Sequence, residues 1–309
     1  MGGTHIADLA EAGRIADAAL TYDAGEGAAL VRRLAAPPAG RRWTAIAEGG
    51  GVVFASMSTR DPGLGHIDLL AVHPDEQGKG RGRDLVGAAE QWLRAQGARQ
   101  ARMAGNPPCY AWPGIDVRYT PAAALAERLG YERYHVAWNM TADLTADLSA
   151  EQDTVRLAEQ GVRVAVHKKD AGREDAEELA REDAEELARE DAQRLARAAV
   201  VEFARRHWND SWAWEAETAD GVAYAERDGE ILGFAAWGAR PGWFGPMGTA
   251  PAAQGLGVGR VLLRLALAGQ RAAGQTTAQI GWVGPLRFYS RAVGARAERV
   301  FWLYRRELV

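Results

Sequence analysis

With 309 residues, 47% apolar and 25% charged, the chain is long for one hydrophobic core and reads as two domains of ordinary globular composition. Its net charge of −4 argues against a nucleic-acid surface, no run approaches the ~18 apolar residues of a membrane span, and the start lacks the basic-then-apolar pattern of a secretion signal. The one cysteine, Cys109, excludes an internal disulfide and the histidines show no ligand spacing, so no metal and a cytoplasmic location are expected.

In chain order, a helix is predicted near residues 7–20. Two strands follow around the glycine turn of "WTAIAEGGGVVFASMST", and "HIDLLAVHP" reads as a third strand. The glycine-rich stretch "EQGKGRG" then opens a helix that stops at Gly97. After the polar join at 141–161 the order repeats: strand "VRVAVHKKD", a charged helix, hairpin "GVAYAERDGEILGFAAWGA", strand "GWFGPMGTAP", and a second glycine-rich stretch opening the helix "GRVLLRLALAGQRAAG". Gln77 and Gln254 mark the two copies, 177 positions apart and too far for a solenoid repeat. The reading is a duplicated α/β domain, 1–147 and 160–309, each a mixed central sheet flanked by helices.

One insertion breaks the symmetry. Residues 173–196 are three tandem copies of an eight-residue acidic unit rich in helix formers, with Glu177–Arg181, Glu185–Arg189 and Glu190–Arg194 spaced i, i+4. A period of eight turns the leucines by about 80° per copy, so they form no straight stripe. An extended, solvated helix is expected, with a partner-binding arm as the alternative.

The two loops share a pattern of glutamine and alternate glycines: Gln77, Gly78, Gly80 and Gly82, then Gln254, Gly255, Gly257 and Gly259. Alternate glycines let successive backbone N–H groups approach an anion, and the helix N-terminus adds partial positive charge. A phosphate or pyrophosphate suits such a loop. The dinucleotide fingerprint fails at its sixth position, where Arg83 and Arg260 stand, and no GxxxxGK[ST] occurs.

"VHPDEQGKGRGRDLV" and "TAPAAQGLGVGRVLL" both resemble the Q/R-x-x-G-x-G/A signature of the GNAT superfamily of N-acetyltransferases, and the element order resembles its α/β fold. The resemblance implies acetyl-CoA as co-substrate. Its pyrophosphate would meet Gln77, Gly78, Lys79, Gly80, Arg81 and Gly82 in one copy. In the other it would meet Gln254, Gly255, Leu256, Gly257, Val258, Gly259 and Arg260. The pantetheine arm would pair with the backbone at Leu70 and Val72, or at Met247 and Thr249.

The copies differ where catalysis would be decided. "FYSRAVG" resembles the family's F-Y-x-x-x-G segment, implying that Tyr289, five residues before Gly294, protonates the departing thiolate. Counting five back from Gly130 gives Leu125, which has no proton to donate, leaving Tyr110 and Tyr119 as unaligned substitutes. Glu215 and Glu217, beside the tryptophans of "HWNDSWAWEAE", are candidates for amine binding or for the base. The expectation is an acetyl-CoA-dependent N-acetyltransferase whose C-terminal copy works by direct attack of an amine in a ternary complex. The acceptor would be a small molecule or a peptide, and oligomerisation is left open. The rival reading is a non-catalytic acyl-CoA-binding regulatory protein.

Overall fold

Strands β1 (Trp43–Glu48) and β2 (Gly51–Met57) meet at a two-residue turn in which Gly49 and Gly50 have φ of 56° and 73°, the left-handed pair that a tight hairpin requires. β3 (Leu64–Val72) pairs antiparallel with β2, as the alternating apolar sequence predicts. The computed structural model describes residues 8–168 and 184–308, apart from the side chains of 184–190. Residues 173–183 of the acidic repeat therefore lie outside the described part.

By its contacts the chain divides into two units, Met1–Trp138 with Arg299–Val309, and Asn139–Glu298. In the first, β4 (Gln100–Met103) runs parallel to β3, and the last strand, β12 (Arg296–Glu307), closes antiparallel on β4 and on the short β5 (Ile115–Asp116). Helices α1 (Leu9–Ala19) and α2 (Gly27–Leu34) cover one face, burying Ile15, Leu30 and Val31 against Val52, Phe54 and Leu69. Asp8 caps α1 by accepting from the Ala10 and Glu11 amides. Helices α3 (Arg81–Ala95) and α4 (Thr120–Arg128) cover the other face, where Leu85, Val86 and Leu93 pack on Val53, Ala55 and Ile67. Each such side chain contributes about 1.5–3 kcal/mol of burial.

The second unit repeats the plan. Strands β7 (Arg163–Lys168), β8 (Gly221–Arg227), β9 (Glu230–Trp237) and β10 (Trp243–Thr249) are antiparallel neighbours, and the β8–β9 turn uses Asp228 and Gly229 at φ of 54° and 82°. β11 (Thr277–Ile280) runs parallel to β10 and pairs antiparallel with Met140–Asp143, the end of β6 (Glu132–Asp143). Each unit is thus completed by a strand from the other half of the sequence. Helices α6 (Ala184–His207) and α7 (Asp210–Thr218) bury Val200, Phe203 and Ala213 on Tyr224 and Phe234, while α8 (Val258–Ala272) packs on β8, β9 and β10. Residues 141–161, read as a polar join, supply that strand end and a helix, α5 (Glu151–Glu159). Among the described residues no helix is long and apolar enough to cross a membrane.

Candidate functional site

Each sheet opens where its parallel pair ends. β3 ladders with β4 only over Leu64–His66, and β10 with β11 only at Trp243 and Phe244. A bulge accompanies each opening. The β2–β3 register slips between Leu69 and Ile67, leaving Asp68 as the extra residue, and the β9–β10 register slips between Phe244 and Met247. Leu70, Val72, Met247 and Thr249 lie beyond these bulges, where backbone groups on the opened edge can receive an extended ligand chain.

The glycine loops follow at once, with matching backbones. Gln77 (φ −67°, ψ 154°) and Gln254 (φ −66°, ψ 143°) are extended; Gly78 and Gly255 have φ of 75° and 84°. Gly80 (φ 88°) and Gly257 (φ 89°) then cap α3 and α8 in the left-handed conformation. Added Cβ atoms at Gly78 and Gly255 would meet nothing within 4 Å, so both positions face open space at the start of a helix. The third glycine has a different task. A Cβ at Gly82 would lie 2.9 Å from Leu125 Cδ2, and one at Gly259 would lie 3.3 Å from Thr249 Oγ1. Gln77 steadies the first loop by donating to the Val72 carbonyl at 3.0 Å.

Charge is arranged around the loops by acids. Glu76 pairs with Lys79 at 3.0 Å and with Arg81 at 3.9 Å. At the second loop Asp153 of α5 accepts from Arg260 at 2.7 Å and pairs with Arg156 at 3.0 Å. The Arg156 Nη2 stands 2.7 Å from where a Gly257 Cβ would be. Sequence reading missed Arg156, because nothing local ties a helix in the polar join to a loop a hundred residues on. Val258 is buried and Leu256 half-buried.

Tyr289 sits on α9 (Leu286–Val293), five residues before Gly294, which ends the helix at φ 67°. Its ring lies edge-on to Phe244 of β10 at 6.2 Å and to Phe288 at 5.0 Å. Burial pushes its phenol up to about 12, so it holds its proton throughout the neutral range. Leu125 occupies the matching place on α4, five residues before Gly130 at φ 80°. Tyr119 is differently committed: its hydroxyl donates to Asp23 Oδ2 at 2.9 Å and accepts from the Tyr22 amide at 3.0 Å. Burial and the Asp23 charge hold its phenol well above the ordinary range. Tyr110 is half-buried in the segment before β5.

On α7, Glu215 is half-buried and Glu217 exposed. The neighbouring Trp208 and Trp212 stack on each other at 5.1 Å and pack with Phe203 and Phe234 in the core. Trp208 underlies β10, since a Cβ at Gly248 would fall 2.3 Å from its ring.

A cavity of about 1080 Å³ lies within the first unit, running from the loop at Gln77–Arg83 to Asp68, Trp112, Asp116 and Tyr119. Its lining joins the glycine loop to the stretch of β3 beyond the bulge, from Leu69 to Val72.

A mixed sheet that splays at its parallel pair, followed by a glycine loop at a helix start, defines a mixed α/β fold, built here twice. The profile described as "Acetyltransferase (GNAT) family" matches residues 15–131 and 178–292, and the chain belongs to that family. A mycothiol acetyltransferase of Thermomonospora curvata is 30% identical over 234 residues, covering 74% of this chain and 69% of the relative. A solved tandem GNAT protein from the clavulanic acid biosynthesis pathway shares the fold with a TM-score of 0.61 at 17% identity, covering 97% of this chain and 94% of its own. A GCN5-related glucosamine N-acetyltransferase region of a fungal multi-domain β-N-acetylglucosaminidase superposes with a TM-score of 0.69 at 18% identity, and the present chain spans 37% of that larger protein.

Proposed function

We propose that the chain is an acetyl-CoA-dependent N-acetyltransferase for a small-molecule amine related to mycothiol, with its chemistry in the C-terminal copy, built on the unit Asn139–Glu298, and an accessory N-terminal copy. The acceptor class is suggested by the name of the relative at 30% identity. The observation that carries the assignment is Tyr289, a protonated phenol packed on Phe244 where β10 opens, against Leu125 in the other copy.

In this reading the amides of Gly255–Arg260 hold the pyrophosphate, with Arg260 and Arg156 adding charge, and the backbone at Met247 and Thr249 holds the arm. Bound there, acetyl-CoA supplies an activated thioester for direct attack by the amine. A backbone N–H of β10 meets the developing oxyanion. Glu215 or Glu217 binds the ammonium or takes its proton. Tyr289 keeps a proton at its hydroxyl for the sulfur. A free thiol titrates near ~8.5 and this phenol at about 12, so donation accompanies C–S cleavage and water restores the proton afterwards.

The test is release of CoA thiol from acetyl-CoA across a panel of small amines that includes the amine precursor of mycothiol. Amine-dependent release supports enzymatic transfer. CoA binding without release for any amine would instead favour the non-catalytic acyl-CoA-binding reading.

A further inference from the structure

Trp282 lies between β11 and α9, and its backbone is left-handed, with φ of 47°. Glycine adopts that conformation freely, whereas a bulky side chain stays there only where its surroundings hold it. Asn139, on β6 and fully buried, does the holding: its Oδ1 accepts from the Trp282 amide at 2.9 Å. A backbone N–H can be met only by the carbonyl oxygen of an asparagine, so the side chain has one orientation. Nδ2 is then buried with no hydrogen-bond partner among the described residues. A buried donor left unpaired is costly, and the chain carries that cost to keep one oxygen on one backbone N–H.

The contact bears on Tyr289. Met140 pairs with Ile280 in the last rung of β6 with β11, and Ile280 is in register with Phe244, against whose ring Tyr289 packs at 6.2 Å. Asn139 and Trp282 stand just beyond that rung, where the chain leaves β11 for α9. In the first unit the matching rung is Tyr304 with Met103, and the residue in the place of Asn139 is Leu303, buried and without a side-chain acceptor. The copy that carries Tyr289 has Asn139; the copy that carries Leu125 has Leu303.

We propose that Asn139 is a positioning residue for acetyl transfer: by holding Trp282 left-handed it aims α9 so that the Tyr289 hydroxyl meets the departing sulfur. This rests on the reading of Tyr289 as the proton donor. Proton transfer needs the two heavy atoms within hydrogen-bond reach, and a misplacement of about 1 Å can cost on the order of 10²-fold in rate. Without the Asn139 oxygen, residue 282 relaxes toward the negative φ that its side chain favours, and the first turn of α9 moves with it. The glycine loop at Gln254 lies on a different connection, between β10 and α8, so CoA binding there does not depend on this contact.

The experiment is a double-variant cycle on the full chain, read as steady-state turnover of acetyl-CoA with the fastest amine of a panel that includes the amine precursor of mycothiol. Asn139→Leu, which copies the first unit, should lower kcat about tenfold or more and leave CoA affinity near wild type. Added to Tyr289→Phe, it should lower kcat by less than about twofold further, because the group it positions is gone. Asn139→Asp keeps an oxygen acceptor and should keep kcat near wild type, which decides the matter should Asn139→Leu fail to fold. An equal loss from Asn139→Leu in both backgrounds, or a loss of about tenfold in Asn139→Asp, overturns the positioning role and leaves the Tyr289 reading untouched. A Tyr289→Phe enzyme as fast as wild type, or no amine-dependent release of CoA, removes that reading and the positioning role together.

Discussion

Arg299 donates from Nη1 to Asp23 Oδ1 at 2.7 Å, tying the last strand of the chain to the turn after α1, 276 positions earlier. The Asp23 side chain is 1% exposed and that of Arg299 11% exposed, and the same guanidinium reaches Asp116 at 2.9 Å. Against the upward push of burial, Arg118 and Arg299 together hold Asp116 below the usual carboxylate range. Removing one partner of a buried pair leaves a charge uncompensated, typically at a cost of 3–5 kcal/mol. Arg299→Ala is therefore expected to lower stability in urea unfolding by about that amount. A loss below about 1 kcal/mol would show that the pair does not hold the last strand in place.

Asp68 gives a pH-dependent stability of opposite sign to a salt-bridged acid. Burial raises its folded pKa to about 7, above the ordinary 3.8, so its contribution is fully present below 3.8 and is lost as pH rises through 7. Asp68→Asn mimics the protonated form. It should leave stability unchanged at pH 3.5 and raise it at pH 8 by about 1–3 kcal/mol, read as a higher melting temperature at pH 8. Equal melting temperatures at pH 8 would refute the burial account of this carboxyl.

At the second loop, Gly257→Val faces two obstacles, a φ of 89° and the Arg156 guanidinium at 2.7 Å. It should abolish CoA binding at that loop, read as the loss of one site by calorimetry. Arg156→Ala should weaken the same site about tenfold at low salt, and the difference should shrink in 0.5 M salt as charge is screened. Unchanged affinity at low salt would show that Arg156 points its charge away from the phosphates.

Much of this architecture is written locally. The Gly49–Gly50 and Asp228–Gly229 turns, and the loops at Gln77 and Gln254, each depend on backbone freedoms that a few residues reveal, and the sequence places all four. The short helices α2, α5 and α7 have weaker periodicity and escape that reading. Which unit a strand completes depends on pairings such as Tyr304 with Met103, some two hundred residues apart, that no local pattern encodes. Asp68 had a signal: one acid amid the apolar "HIDLLAV". Its significance depends on a register slip that only the paired strands display.

The division of labour between the copies is tested most directly by steady-state turnover of two single variants with an identified amine acceptor. Tyr289→Phe should lower turnover by a factor on the order of 10² or more, the scale of a lost general acid, with CoA affinity little changed. Tyr119→Phe, whose hydroxyl proton is already given to Asp23 at 2.9 Å, should keep turnover near wild type. A crippled Tyr119→Phe enzyme beside a normal Tyr289→Phe enzyme would contradict the account and move the chemistry to the N-terminal unit.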